Sequence, residues 1–347
     1  MDIKRQIINR LNEAEYLTGL ELCRIFSFSR QALNKHVKAL VEAGSIVKQG
    51  RTRGVVYQIN SKAKRSSAEK LQRVISLQGT HEDQVFGEIN AVLNVKRAVD
   101  KNIYDMLYYS FTEMLNNAID HSNSEKCRIF ISLDRYKIKF TIRDYGIGIF
   151  SSIYKNLGLP DENSAIGELI KGKTTTMKER HTGEGIFFTS KLGDIVSFRS
   201  HGLSLVFDNI RQDVFIQKKR FTEGTEVNFE MSRFTKKKID ECFRQFAPEE
   251  FDYKFDRTRI LVKLFHKDYV SRSEAKRLIS GLDKFKELVL DFKDVNSIGQ
   301  GFADELFRVF MTANPDIRMH ITNAGEPVRI LLSHVVDNKI NGRLTID

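Results

Sequence analysis

The stretch IYDMLYYSFTEMLNNAIDHS, residues 103–122, decides how the chain is read. Leu107, Phe111, Met114, Leu115, Ala118 and Ile119 recur at helical spacing, which predicts one long amphipathic helix. Glu113, Asn117 and Asp120 stand at i, i+4 and i+7 and project from one face of it. A carboxylate and an amide on so apolar a helix need a ligand or a partner, because unpaired buried polar groups cost free energy.

Downstream, CRIFISL (127–133) and KIKFTIRD (137–144) alternate as half-buried strands joined through Asp134 and Arg135. The second strand delivers Asp144 straight into YGIGI, so a carboxylate meets the flexible backbone of Gly146 and Gly148. Such an acceptor can take the exocyclic amine of a purine, and the missing side chains leave room for the ring. A second glycine pair, in HTGEGIFFTSKL (181–192), precedes a predicted helix whose free amides and dipole suit phosphate oxygens. Gly224-Thr225 then opens the predicted strand GTEVNFEM.

Each piece is weak alone, but their order is specific: E-x-x-x-N-A, D-x-G-x-G, G-x-G-I, then G-T at a strand start. Over about residues 80–232 this series resembles the GHKL superfamily of gyrase, heat-shock chaperone, histidine kinase and MutL ATP-binding domains. The resemblance implies an ATP·Mg²⁺ pocket in an α/β sandwich of the Bergerat type. It implies that Asn117, with Glu113 beside it, ligates Mg²⁺, that Asp144 holds the adenine amine, and that Glu113 polarises a water for attack on the γ-phosphate. Asp120, Gly146, Gly148, Lys173, Thr182, Gly183, Gly185, Ile186 and Thr225 complete the expected nucleotide contacts. Segment 155–182, read as a loop with Gly158, Gly167 and Gly172, corresponds to the lid.

GELIKGKT (167–174) formally satisfies the P-loop pattern G-x-x-x-x-G-K-[ST]. A P-loop follows a buried strand and opens a helix, whereas polar LPDENSA precedes this one and TTTMKERHTG is a poor helix. The match therefore reads as coincidence within the lid, where Lys171, Lys173, Lys178 or Arg180 could still reach phosphate.

The chain's 347 residues exceed the usual reach of one core. Composition is that of a soluble globular protein: 41% hydrophobic and 29% charged. No apolar run reaches membrane-spanning length, and MDIKRQIINR lacks the apolar core of a signal peptide. Cys23, Cys127 and Cys242 stand apart, which argues against a disulfide framework or a zinc site and fits a reducing cytoplasm.

The net charge of +11 is uneven: residues 1–65 hold 13 Lys/Arg against 5 Asp/Glu. Such concentration points to a polyanionic partner, most simply DNA. The same segment predicts three helices and a hairpin, with Thr18 and Ser29 as N-caps and Gly44 closing the third helix. It resembles a winged helix-turn-helix domain, whose third helix enters the major groove. On that resemblance Ser29, Arg30, Gln31, Asn34 and Lys35 face base edges, while Lys48, Arg51 and Arg53 belong to the wing beside phosphate. A winged helix used for protein contacts is the alternative. The polar connector NSKAKRSSAEK follows.

From residue 235 onward strands alternate with helices, which predicts an α/β domain. LVLDFKDVNSIGQGFADELFRVF resembles the sulfate-transporter/anti-sigma-antagonist (STAS) domain. Partner-switching members carry a phosphorylatable serine where this chain reads Ile298-Gly299-Gln300-Gly301, and Ser297 is out of register.

The expected architecture is thus an α+β multidomain chain: a winged helix over 1–65, an ATP-binding domain over 66–234 and a STAS-like α/β domain over 235–347. The expected function is a cytoplasmic regulator of transcription that couples ATP·Mg²⁺ binding, with slow hydrolysis at most, to DNA binding. A protein partner at the STAS-like domain and homodimerisation belong to the same expectation. The alternative is a protein kinase of the anti-sigma-factor type acting on a partner in trans.

Overall fold

A computed structural model describes residues 3–14, 16–50, 55–60, 69–134, 136–173, 183–252, 254–264, 269–335 and 342–347. Two compact units form, one of residues 1–69 with 133–135 and one of residues 70–132 with 136–347. Among the described residues no helix is long and apolar enough to cross a membrane.

In the first unit, helices α1 (Ile3–Glu13), α2 (Gly19–Phe26) and α3 (Arg30–Glu42) accompany a three-stranded antiparallel sheet. Its order is β1-β3-β2, with β1 at Leu17–Thr18, β2 at Ile46–Gln49 and β3 at Val56–Ile59. Ile7 and Leu11, Leu22, then Leu33, Val37 and Leu40 bury one stripe from each helix in turn. The caps are those expected. Thr18 and Glu21 form a reciprocal capping box, Ser29 accepts from the Ala32 amide at 3.2 Å, and Gly44 takes a left-handed φ of 65°.

The second unit is built on a seven-stranded sheet of order β4-β5-β6-β10-β7-β8-β9. These strands are β4 (Glu69–Ser76), β5 (Lys126–Leu133), β6 (Lys137–Asp144), β7 (Ile195–Ser200), β8 (Leu203–Asp208), β9 (Asp213–Lys218) and β10 (Thr225–Ser232). Every second residue of β6 and β10 is buried, so one face carries the core and the other stays polar. On the polar face Lys137 and Lys139 pair with Glu230, and Thr141 donates to Asn228. Helices α4 (Glu82–Leu93), the short α5 (Val95–Ala98) and α6 (Lys101–His121) follow β4, and aromatic rings anchor α4 and α6 to the core. Phe111 of α6 meets Phe140 edge-on at 5.5 Å, and Phe140 stacks on Phe229 at 4.9 Å.

Three more helices belong to this layer: α7 (Ile149–Asn156), α8 (Glu162–Lys171) and α9 (Gly185–Leu192). The presence of α8 corrects the expectation of a loop across 155–182. Asp161 caps it by accepting from the Ser164 amide at 2.8 Å, and Ala165, Ile166, Leu169 and Ile170 are buried. Gly158 ends α7 in a left-handed turn and Gly167 lies inside α8, so glycines that suggested a loop are a terminator and a tolerated interior residue. Residues 174–182 of the expected lid lie outside the described residues.

Helix α10 (Ile239–Phe246) leads into a four-stranded parallel sheet of order β11-β12-β13-β14. The strands are Arg257–Leu261, Glu287–Asp291, Arg318–Thr322 and Leu344–Ile346. Between them run α11 (Arg272–Ile279), a helix α12 and α13 (Glu326–Val335). Helix α12 opens as Gln300–Ala303, loosens into a π-helical turn over Asp304–Val309, and finishes as Phe310–Ala313. Spatial order equal to chain order, with parallel neighbours, is what successive right-handed crossovers produce.

The two sheets share one core. Phe187 and Phe188 of α9 pack with Phe246, Phe255, Ile260 and Val262. The Lys171 ammonium, only 1% exposed, donates to Glu168 at 2.6 Å and caps α11 through the carbonyls of Arg277 and Ser280. Thr258 of β11 donates back to the Lys171 carbonyl at 2.7 Å. The C-terminal sheet is therefore fused to the first through α8 and α9.

Lys191 is the cost of that shared core. Its ammonium lies 5.0, 5.3 and 5.9 Å from the rings of Phe187, Phe207 and Phe246, with no carboxylate partner among the described residues. Burial pushes its pKa down to about 8. Desolvation can move a lysine by roughly 3–5 units, whereas each such ring returns about 0.5–1 kcal/mol, so burial wins. Between about 8 and the ordinary 10.5 the unfolded chain binds the extra proton, and stability rises with pH across that window. Lys191→Met is accordingly expected to melt above wild type at pH 7, with the gap narrowing by pH 10. A gap that does not change with pH in thermal melts contradicts this.

Candidate nucleotide-binding site

A cavity of about 690 Å³ opens between α6, the end of β6, the α9 N-terminus and α10. Its size is that of a small-molecule site. Glu113, Asn117, Asp144, Gly148, Gly183, Gly185, Ile186 and Thr225 all line it. The sequence motifs, 112 residues apart at their extremes, thus meet around one space.

Asp144 is 4% exposed at the last position of β6. Its Oδ1 accepts from the backbone amides of Gly146 at 2.9 Å and Thr225 at 3.1 Å. Burial pushes its pKa up, and those two amide donors oppose the rise. One carboxylate oxygen is thereby fixed by the protein, which orients the group toward the cavity. Thr225 also accepts the Ile149 amide at 2.9 Å, so β10 holds the start of α7 in place.

The glycines are needed for close approach. A Cβ on Gly224, whose φ is 72°, would fall 2.3 Å from the Asp144 carbonyl oxygen and 2.6 Å from its Oδ1. A Cβ on Gly146 would fall 1.8 Å from the Ser122 carbonyl, to which the Ile147 amide donates at 2.8 Å. Gly146 does not line the cavity; it straps the β6–α7 turn to the end of α6. Asp120 does not line the cavity either.

At the other end of the cavity α9 begins against Glu113. A Cβ on Gly185 would lie 1.9 Å from Glu113 Oε2, so the missing side chain lets the carboxylate lie against the helix N-terminus in this rotamer. Tyr109, one turn earlier on α6, has its phenol pushed up by burial and by the neighbouring charges of Glu113 and Glu184, and stays protonated at neutral pH. Asn117 lines the cavity, and its Nδ2 is buried with no hydrogen-bond partner among the described residues. An amide can present either its oxygen or its nitrogen to the cavity, and the oxygen is a suitable hard donor for Mg²⁺.

Lys173 departs from expectation. It sits in a left-handed turn, its ammonium bonds Asp256 at 2.6 Å and the Lys284 carbonyl at 3.1 Å, and it lies 4.8 Å from the Phe285 ring. It anchors the end of α8 to the C-terminal sheet instead of lining the cavity. The P-loop-like run 167–173 is the end of helix α8 followed by this anchor, and not the loop within the lid that was expected. Thr182, like Arg51 and Arg53, lies outside the described residues.

In the first unit Arg30, Gln31, Asn34 and Lys35 of α3 and Lys48 of β2 are all exposed, opposite the buried stripe Leu33, Val37 and Leu40. Ser29 is exposed too, but its hydroxyl is engaged in capping α3.

Residues 76–207 match the family model of the histidine kinase-like ATPase domain, and residues 274–329 match that of a STAS-like domain of unknown function (DUF4325). No curated protein matches the chain. The chain therefore contains a histidine kinase-like ATPase domain, which implies ATP binding, followed by a STAS-like domain. Of the walls beyond the first match, Thr225 was read from its motif, whereas Asp240, Phe243, Arg244 and Ala247 of the α10 region, and Phe255, were invisible to motif reading.

Two glycine substitutions test the packing of this site. Gly224→Ala is expected to destabilise by about 2 kcal/mol or more, because both the backbone and a fixed carboxylate oppose the methyl group. Gly87→Ala, inside α4 with nothing within 4 Å, is expected to stabilise by about 0.5–1 kcal/mol. Denaturant midpoints read both, and equal effects contradict the argument.

Proposed function

We propose that this chain is an ATP-responsive regulator that binds DNA through a winged helix in its first unit and hydrolyses ATP slowly in its second. The observation that carries the nucleotide reading is the convergence of Glu113, the orphaned Asn117 amide and the pinned Asp144 on one cavity of suitable size. Asp144 accepts a hydrogen bond from the exocyclic amine of adenine. The amides at the α9 N-terminus favour phosphate oxygens. Asn117, with Glu113 beside it, would hold Mg²⁺, which when bound neutralises charge on the phosphates.

Glu113 has the role of general base. It takes a proton from water as the water oxygen bonds to the γ-phosphorus and the bond to the β–γ bridging oxygen breaks, leaving ADP and inorganic phosphate. The first unit supports DNA binding by its charge and by the row of exposed polar and basic residues on α3. Phosphate contacts of this kind make affinity fall steeply with salt. ATP alters DNA affinity in this reading, through different ATP affinities of the DNA-bound and free states. A cytoplasmic location and a protein partner at the STAS-like domain accompany the proposal.

Kinase activity in trans is the competing reading, since histidine kinase-like ATPase folds also serve transfer. Following the γ-phosphate of labelled Mg·ATP separates the two. Free phosphate released by wild type, and reduced at least about 100-fold in Glu113→Ala, is the expected result. Label retained on protein would favour transfer, and undiminished release by Glu113→Ala would remove the assigned base. DNA affinity that is identical with ATP, with ADP and without nucleotide would sink the coupling.

A further inference from the structure

One rim of the seven-stranded sheet carries positive charge that the nucleotide cavity does not use. Lys218 at the end of β9, and Lys219 and Arg220 just beyond it, are exposed and form no ion pair with another described residue. On the polar face Glu226 of β10 is the register partner of both Arg143 of β6 and Arg199 of β7, so the three stand in one row across adjacent strands. The cations Arg143, Arg199, Lys218, Lys219 and Arg220 thus outnumber the carboxylates Glu162, Glu223 and Glu226.

The two arginines of the row are incompletely bonded. Arg199 Nη2 donates to the Arg220 carbonyl at 2.8 Å, while the Arg143 guanidinium lies 5.2 Å from the Tyr145 ring and 4.0 Å from Glu226. The Nε of each is buried with no hydrogen-bond partner among the described residues. Folded proteins leave few such donors unmatched.

Beside the row stands an open aromatic ring. Phe221 is 70% exposed, more than any other large hydrophobic side chain among the described residues. Its one ring partner among them is His201, stacked at 5.3 Å and within 6° of parallel. Neighbouring contacts fix the stack. The amides of His201 and Thr222 each donate to the other's carbonyl at 3.0 Å, and His201 Nδ1 lies 2.6 Å from Glu162 Oε1. A single exposed ring says little. A ring held face-out beside a track of cations is the pairing that single-stranded nucleic acid requires, since its unpaired bases stack while its phosphates follow the charge.

We propose that this rim of the second unit binds single-stranded nucleic acid, one base stacking on Phe221 and the backbone phosphates lying along Lys219, Arg220 and Arg199. A duplex keeps its bases stacked on each other and offers the ring nothing. An acidic peptide would use the charge and leave the ring idle. The surface is separate from the winged helix and from the nucleotide cavity, so it stands or falls independently of both.

The test measures binding of a labelled oligothymidine of about 15 nucleotides, and of a duplex of about 15 base pairs, to the full chain, with thermal melts to check folding. Phe221→Ala is expected to weaken the oligothymidine about 10-fold, the loss of one stacked base, and to leave duplex binding within about 2-fold. Phe221→Tyr keeps a stacking face and is expected to stay within about 2-fold of wild type for both. Lys219→Gln combined with Arg220→Gln is expected to flatten the slope of log affinity against log salt for the oligothymidine by about 1.4, one phosphate contact each. Unchanged oligothymidine affinity in a folded Phe221→Ala, or duplex affinity that falls in step with it, overturns the inference. Wild type that binds poly-glutamate and not oligothymidine assigns the rim to an acidic partner and overturns it as well.

Discussion

One carboxylate oxygen of Asp144, held by the amides of Gly146 and Thr225, ties together the three segments that form the site. The Gly146 amide belongs to the turn that runs against the end of α6, and the Thr225 amide to the first residue of β10. Fixing both to the end of β6 brings the helix bearing Glu113 and Asn117 into register with the central strands. Gly146 and Gly224 are consequences of this constraint, because a methyl group at either would strike backbone oxygens less than 2.5 Å away. A charge so buried is unfavourable unless its hydrogen bonds are complete. The amides of Gly146 and Thr225, with the Thr225 side chain, hold the carboxylate at the cavity wall.

A second set of contacts makes the C-terminal sheet part of the same object. Lys171 and Lys173 close the end of α8 by bonding carbonyls of residues 277, 280 and 284 and the carboxylate of Asp256. Gly172 between them, with φ of 83°, is wedged against Phe187 and Phe255, where a Cβ would lie 2.8 Å from each ring. Breaking a buried ion pair of this kind is strongly unfavourable. Within the expected lid, 155–182, the last described residue before 183 is thus bonded to the STAS-like side. The far end resumes at Gly183, beside Glu113 and under α10.

Much of this was legible from spacing. Glu113 and Asn117 at i and i+4 on an apolar helix, Asp144 at a strand end before two glycines, and Gly224-Thr225 at a strand start each state a local geometry, and those geometries assemble without long-range information. The caps Thr18 and Ser29 were legible for the same reason. Helix α8 was not, because Gly158 and Gly167 read as breaks when one is a helix terminator and the other is carried by the buried stripe around it. Lys173 was misread because its partner Asp256 lies 83 residues away and the G-K-T tripeptide has a local meaning of its own. Arg244 belongs to no motif; the tertiary packing of Phe243 and Phe246 brings it to the cavity.

The account depends on Asp144 as an acceptor inside a nucleotide site, and its most direct test is equilibrium titration of Mg·ATP against wild type and Asp144→Asn. The asparagine keeps the volume and still offers an oxygen to the backbone amides, but it turns an NH₂ donor toward the adenine amine. The account predicts saturable binding at one site in wild type and a loss of about 100-fold or more in the folded variant. Equal affinity for the two proteins, or no saturable binding by wild type, would contradict it.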